Sequence, residues 1–300
     1  MPRHSFRRYV LRPIIRRLLP GTPLGIASAV PTRELSVPRA DNQPVTVTDT
    51  GHGQGPAILL VHAGSTDGSS WQGVAAALCE RFRVLRFDRF TYRHEPPTGS
   101  DAMAGEVADV LAIASAIEGP LLLVGHSSGA VVALQSALAA PSMFAGMLLY
   151  EPPVAVTGPV GGEALRRARA ALDAGDPDRA IAIHLRDIVG SPALIVAVMR
   201  LIPPVRRAMR RHAAAQIADD EALESLGVGL DRYAGLDLPV LLLGGARSPA
   251  NLRTRLDALA AVLPRLDSVV IMPKQGHLAT LRAPEEVAAV IASFADRVQR

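Results

Sequence analysis

A serine hydroxyl attacks a carbonyl only if a base removes its proton and donors receive the negative charge that develops. The stretch Gly125-His126-Ser127-Ser128-Gly129 could meet part of that requirement. It follows the apolar run Leu121-Leu122-Leu123-Val124 and precedes an Ala- and Val-rich helical pattern from Ala130 to about Ala139. Strand, turn and helix in this order carry a serine at a sharp bend. Side chains two residues to either side of such a serine would collide, and Gly125 and Gly129 have none. The following helix turns its amino-terminal dipole and the Ser128 N–H toward a developing oxyanion. Five residues alone are also compatible with an ordinary tight turn; the flanking strand and helix count against that reading.

The elements that must position this serine are legible from about residue 45 onward. Short apolar runs alternate with helical patterns, the signature of a mostly parallel sheet covered by helices. Strands are expected at Val45–Asp49, Ala57–Val61, Phe82–Phe87, Leu121–Val124, Met147–Tyr150, Val240–Leu243 and Val269–Met272. Helices are expected at Trp71–Arg81, Glu106–Ile117, Ala130–Ala139 and Asn251–Leu263, with a last one from Glu285. Between residues 155 and 235 the alternation stops. That stretch is rich in Ala and Arg, helical in period, and broken at Gly158-Pro159, Gly175-Asp176-Pro177, Ser191-Pro192 and Pro203-Pro204. The organisation predicted is a basic, flexible segment at 1–33, an α/β core formed by 34–154 and 236–300, and a helical cap at 155–235. Ile181, Leu194, Ile195, Val198 and Leu201 are expected to line that cap toward an apolar substrate.

Composition narrows the function further. The net charge of +4 arises at one end: residues 1–20 contain six Arg and no acid, which leaves residues 21–300 at −2. Aromatics are 4% of the chain, too few for the basic and aromatic interleaving of a nucleic-acid surface. Arg206, Arg207, Arg210 and Arg211 recur at helical spacing and read as a solvated face. Cys79, the only cysteine, excludes an internal disulfide and is expected to be a buried structural thiol. No apolar run approaches the ~20 residues of a membrane-spanning helix. At the amino terminus, Arg7-Arg8-Tyr9-Val10-Leu11 and Ala27-Ser28-Ala29 have the form of an export signal and its cleavage site. Arg16 and Arg17, with Pro13, Pro20 and Pro23, interrupt the apolar stretch such a signal needs. A cytoplasmic protein is the expectation, with export and a weak membrane-surface contact through these arginines as alternatives.

With its nucleophile turn and with Tyr150-Glu151-Pro152-Pro153 closing a strand, the chain resembles the α/β-hydrolase superfamily from about residue 45 to its end. It is most similar to lidded bacterial members with this strand ending. The resemblance implies an eight-stranded, mostly parallel sheet and no cofactor or metal. It implies an oxyanion donor two residues after His62, in Val61-His62-Ala63-Gly64-Ser65; that donor is Gly64, paired with the Ser128 N–H. Ala63 departs from the glycine usual there. His62 is read as a loop anchor and Ser65 as a possible substrate contact. The resemblance also implies a general base in the loop after the last strand, and His277 satisfies the order serine, acid, histidine outside the cap.

The acid is less direct. The superfamily commonly has an Asp where Gly244-Gly245-Ala246-Arg247-Ser248 places Ser248, and a serine cannot offset an imidazolium. Functional groups of a parallel sheet gather at the carboxyl ends of its strands. Asp237 and Asp267 precede strands and Asp257 lies within a helix. Glu151 directly follows a strand at the correct edge, and is expected to accept from the histidine, as some branches of the superfamily arrange. A loop carboxylate before two prolines is the plainer reading of Glu151. Asp88 is read as a loop-organising acceptor and Trp71 as a core or pocket-wall aromatic. The expected activity is a cofactor-independent serine hydrolase acting on a small, largely apolar ester through an acyl-enzyme. Carbon–carbon bond hydrolysis or acyl transfer on the same residues, and a non-catalytic binding protein, are the alternatives.

Overall fold

The fold was analysed in a computed structural model, in which the described residues are 32–299 apart from 42, 52, 54 and 94–99. Eight strands form one sheet in the order β1-β2-β4-β3-β5-β6-β7-β8. They are β1 (Thr32–Val37), β2 (Val45–Thr50), β3 (Ile58–Val61), β4 (Val84–Phe87), β5 (Leu121–His126), β6 (Phe144–Tyr150), β7 (Val240–Gly245) and β8 (Leu266–Met272). Both pairings of β2 are antiparallel, and β4, β3, β5, β6, β7 and β8 run parallel.

The central strands are apolar throughout because both of their faces are covered. Alternation then sorts their side chains into two cores. Leu59, Val61, Leu121, Leu123, Met147, Leu149, Val240 and Leu242 pack with α2 (Ser100–Ser115), α3 (Ser128–Ala139) and α9 (Ala250–Ala260). Ile58, Leu60, Leu122, Val124, Leu148, Tyr150, Leu241 and Leu243 face the other way, toward α1 (Gln72–Leu78) and α10 (Pro284–Val298).

One strand escaped the sequence reading. β1 lies antiparallel against β2 at the sheet edge, with Arg33 paired to the buried Asp49. Its residues are mostly exposed and polar, so no apolar alternation announced it. The sheet thus begins at Thr32, inside the segment expected to be flexible. The amino-terminal arginines and the export-like motif lie outside the described residues.

Between β6 and β7 the chain forms α4 (Gly162–Asp173), α5 (Pro177–Ile183), α6 (Ala193–Leu201), α7 (Pro203–Arg211) and α8 (Ala213–Ser225), with no strand. α8 packs on α2, α3, α4 and α5 and buries three polar residues, Gln216, Asp219 and Asp220, beside its apolar ones. The expectation that this stretch lines a substrate pocket with its apolar residues is corrected at four of five positions. Ile181 is buried, but Leu194, Ile195, Val198 and Leu201 are on the surface. Cys79 is likewise half-buried rather than buried, donating to the Ala76 carbonyl at the end of α1. Among the described residues no helix is long and apolar enough to cross a membrane.

Candidate active site

Because β3 to β8 are parallel, their carboxyl ends share one edge, and the segments leaving them hold Gly64, Ser127, Ser128, Glu151 and His277. Ser127 follows β5 in the left-handed region, at φ 53°. Its N–H continues the ladder to the Tyr150 carbonyl at 2.8 Å, and α3 starts at the next residue. A Cβ at Gly125 would lie 2.5 Å from the Ala130 Cα, and one at Gly129 2.3 Å from the His62 carbonyl oxygen. Both contacts are with backbone, so the bend requires glycine at both places.

Three non-glycine residues among those described have positive φ: Ser65 at 55°, Ser127 at 53° and Glu151 at 47°. Such conformations cost of order 1–3 kcal/mol each and persist only where the surroundings enforce them. All three stand at the same sheet edge, after β3, β5 and β6.

Glu151 is 2% exposed, and its two carboxylate oxygens are separately engaged. Oε2 meets His277 Nδ1 at 2.6 Å, and Oε1 accepts the Gly245 N–H at 2.7 Å. The Glu151 N–H continues the ladder to the Leu243 carbonyl at 3.0 Å. The structure therefore brings together Glu151 and His277, residues 126 positions apart. Asp257 pairs with Arg253 and Asp267 with Arg297, neither at this edge. Ser248, where an Asp is common, has a buried hydroxyl with no partner among the described residues.

Tyr150 fixes the loop carrying His277. Its hydroxyl donates to the Gly276 carbonyl and accepts the Ala279 N–H at 3.3 Å, gripping the loop on both sides of the imidazole. His126 stacks on the Tyr150 ring at 4.5 Å, with its centroid 4.8 Å from that of His277. Burial, and secondarily the neighbouring His277, pushes the His126 pKa well down, so this ring stays neutral beside His277.

On the other side of the nucleophile the Gly64 backbone lies under α8: a Cβ there would be 2.3 Å from Gln216 Oε1. That amide oxygen accepts from Ser65 Oγ at 2.8 Å and from the Tyr92 hydroxyl at 3.3 Å. The Ser65 N–H is itself taken by the Tyr92 hydroxyl at 3.0 Å. The Gly64 and Ser128 N–H groups have no acceptor among the described residues. His62 is a loop anchor: its Nε2 accepts the Arg89 N–H at 2.9 Å and its Nδ1 meets the Ala63 carbonyl at 2.8 Å. Asp88 accepts the Gly68 N–H at 2.8 Å, and Trp71 is buried edge-on to His126.

Arg89 was not anticipated. Its side chain is wholly buried and forks between Glu106 at 3.1 Å and Asp219 of α8 at 2.5 Å. Nη1 also donates to Ser128 Oγ at 2.8 Å and to the His62 carbonyl at 3.3 Å. Burial pulls its pKa down, but Asp219 and Glu106 push it up by more, so the guanidinium stays charged. One cation thus touches the β3 loop, the residue after Ser127 and an inserted helix. Nearby, His184 Nδ1 meets Asp220 at 2.6 Å, and Asp220 accepts from Gln216 at 3.0 Å. Among the described residues no group of His, Cys, Asp or Glu is arranged to hold a metal ion.

The chain is similar to several known proteins. A pimeloyl-[acyl-carrier protein] methyl ester esterase of Methylococcus capsulatus is 36% identical over 100 residues, 32% of this chain. That match spans only 37% of the esterase. Lipase LipV of Mycobacterium tuberculosis is 29% identical over 80% of this chain and 93% of its own. The crystal structure of an alpha/beta hydrolase from Sphaerobacter thermophilus superposes with a TM-score of 0.75 at 27% identity. It covers 87% of this chain and 99% of that one. The profile of the alpha/beta hydrolase family matches residues 58–290, from the start of β3 into the last helix, and the chain belongs to that family.

Proposed function

We propose that the protein is a serine hydrolase that cleaves a carboxylic ester through an acyl-enzyme, with Ser127 as nucleophile, His277 as general base and Glu151 as the acid. The observation that supports this most is the 2.6 Å contact of Glu151 with His277 Nδ1. It orients the imidazole with Nε2 free to take a proton, and puts a carboxylate where imidazolium charge would form. His277 removes the Ser127 hydroxyl proton as the oxygen attacks the ester carbonyl. The tetrahedral oxyanion is received by the Gly64 and Ser128 N–H groups, each worth about 3 kcal/mol. Collapse expels the alcohol, protonated by His277, and water activated by the same imidazole releases the acid.

Ester cleavage is favoured over other carbonyl chemistry by two of the similar proteins, an esterase and a lipase. A strongly apolar substrate has weaker support from the sequence, since four of the five side chains meant to enclose it are exposed to solvent. A fluorophosphonate probe tests the reading. It should label the wild type and spare Ser127→Ala, and short p-nitrophenyl esters should be hydrolysed by the wild type alone. A wild type that is folded, unlabelled and inactive on such esters returns the chain to the non-catalytic reading.

A further inference from the structure

α6 and α7 present an exposed surface that is apolar on one helix and basic on the other. Leu194, Ile195, Val198 and Leu201 fall on one stripe of α6, at positions i, i+1, i+4 and i+7, and are 76%, 48%, 37% and 80% exposed. Single exposed leucines are unremarkable, but an adjoining group of four on one helix is the mark of a contact surface. Arginines follow the stripe along the chain: Arg200 at the end of α6, then Arg206, Arg207, Arg210 and Arg211 on α7, all exposed. Arg206 and Arg210 lean on Asp178 of α5, whereas Arg200, Arg207 and Arg211 have no ion pair among the described residues. From Ile188 to Ala218 there is no Asp or Glu.

Charge decides what could cover this face. A second copy of the same surface would set arginine against arginine. The chain's own residues 1–20, with six Arg and no acid, would be repelled in the same way. A surface that accepts apolar side chains at its boundary and cations just outside it is an anionic lipid leaflet. We propose that the exposed face of α6 and α7, with Leu194, Ile195, Val198 and Leu201 beside Arg200, Arg207 and Arg211, docks the protein on an anionic membrane surface. α7 runs through His212 into α8, whose Gln216 lies against Gly64, so the docking helices adjoin the helix over the candidate active site. The inference does not depend on ester hydrolysis.

The test is co-sedimentation of the full chain with vesicles of ether-linked phosphatidylcholine, alone or mixed with ether-linked phosphatidylglycerol. Ether lipids contain no ester, so binding is read separately from turnover. The wild type should bind the phosphatidylglycerol vesicles and release them at high salt. Each arginine near an anionic surface multiplies partitioning about fivefold. Arg207→Glu/Arg211→Glu and Leu194→Ser/Leu201→Ser should therefore each bind at least about tenfold more weakly, with unchanged thermal unfolding. An environment-sensitive dye on Leu194→Cys, in a Cys79→Ala background, should shift to the blue on the anionic vesicles. Variants that sediment like the wild type, without a dye shift, would assign binding to the amino-terminal arginines and overturn the proposal. A dimer that Leu194→Ser/Leu201→Ser dissolves would overturn it too, by making the face an interface between copies.

Discussion

Arg89 donates to Ser128 Oγ at 2.8 Å across 39 residues of sequence, with both side chains shut away from solvent. The same guanidinium neutralises Glu106 and Asp219, so its removal would strand two buried carboxylates. Arg89→Met should lose about 3–5 kcal/mol in urea unfolding. Arg89→Lys should recover little, because a point ammonium cannot fork among acceptors on four elements. Unfolding of Arg89→Met at the wild-type urea midpoint would mean that this cation does not clasp α8 to the core.

The two oxygens of Glu151 divide their work between His277 and the Gly245 N–H. Glu151→Gln keeps the shape but not the charge that supports an imidazolium, and kcat should fall by about 10³- to 10⁴-fold. Ser248 has the opposite profile, a buried hydroxyl without a partner among the described residues. Ser248→Ala should keep kcat within about twofold, and stability the same or higher by about 1 kcal/mol. Steady-state kinetics on one ester separates the two, and the reverse pattern would remove Glu151 from the acid's place.

That Ser127 and Glu151 stand at one sheet edge was legible before any coordinates, because parallel topology assigns an edge to whatever follows a strand. The expectation for Ser127 also draws on the glycines of its turn, and that for Glu151 on the family resemblance. Arg89 follows β4 with only Asp88 between, yet nothing near it in sequence says that it is buried. Its partners come from Glu106, Ser128 and Asp219, and a buried charge is recognised only through its partners. α8 misleads for a related reason: Gln216, Asp219 and Asp220 have the composition of a solvated face but are all buried against the core. α6 misleads conversely, with an apolar composition that belongs to an exposed stripe. Pattern reports periodicity; which side of a helix is covered depends on what the rest of the chain places there.

Gly64 and Gly129 should respond differently to the same added methyl. At Gly64 the obstructing atom is Gln216 Oε1, the end of a flexible side chain, while at Gly129 it is the His62 carbonyl. Gly64→Ala should lower kcat, and combining it with Gln216→Ala should give a favourable coupling of about 1 kcal/mol or more in a double-mutant cycle. Gly129→Ala should cost about 3 kcal/mol in stability, and trimming Gln216 should not relieve it. Strict additivity in the first pair would mean that α8 does not press on the oxyanion loop.

Acid should destabilise the fold through two buried imidazoles. Burial first, and the Arg89 charge second, lowers the His62 pKa from 6.5 to about 3; burial and His277 hold His126 well below its ordinary value. Once unfolded, both rings titrate near about 6.5. Below that pH the unfolded chain binds protons that the folded chain refuses, so stability is full above about 6.5 and falls as pH drops toward the folded values. His126→Phe keeps an aromatic ring over Tyr150 and removes one of the two titrations. Its unfolding free energy should therefore decline with a slope shallower than the wild type's by up to about 1.4 kcal/mol per pH unit between about pH 6 and 5, the value for one proton. Parallel slopes in urea titrations across that interval would show that His126 takes up its proton without unfolding.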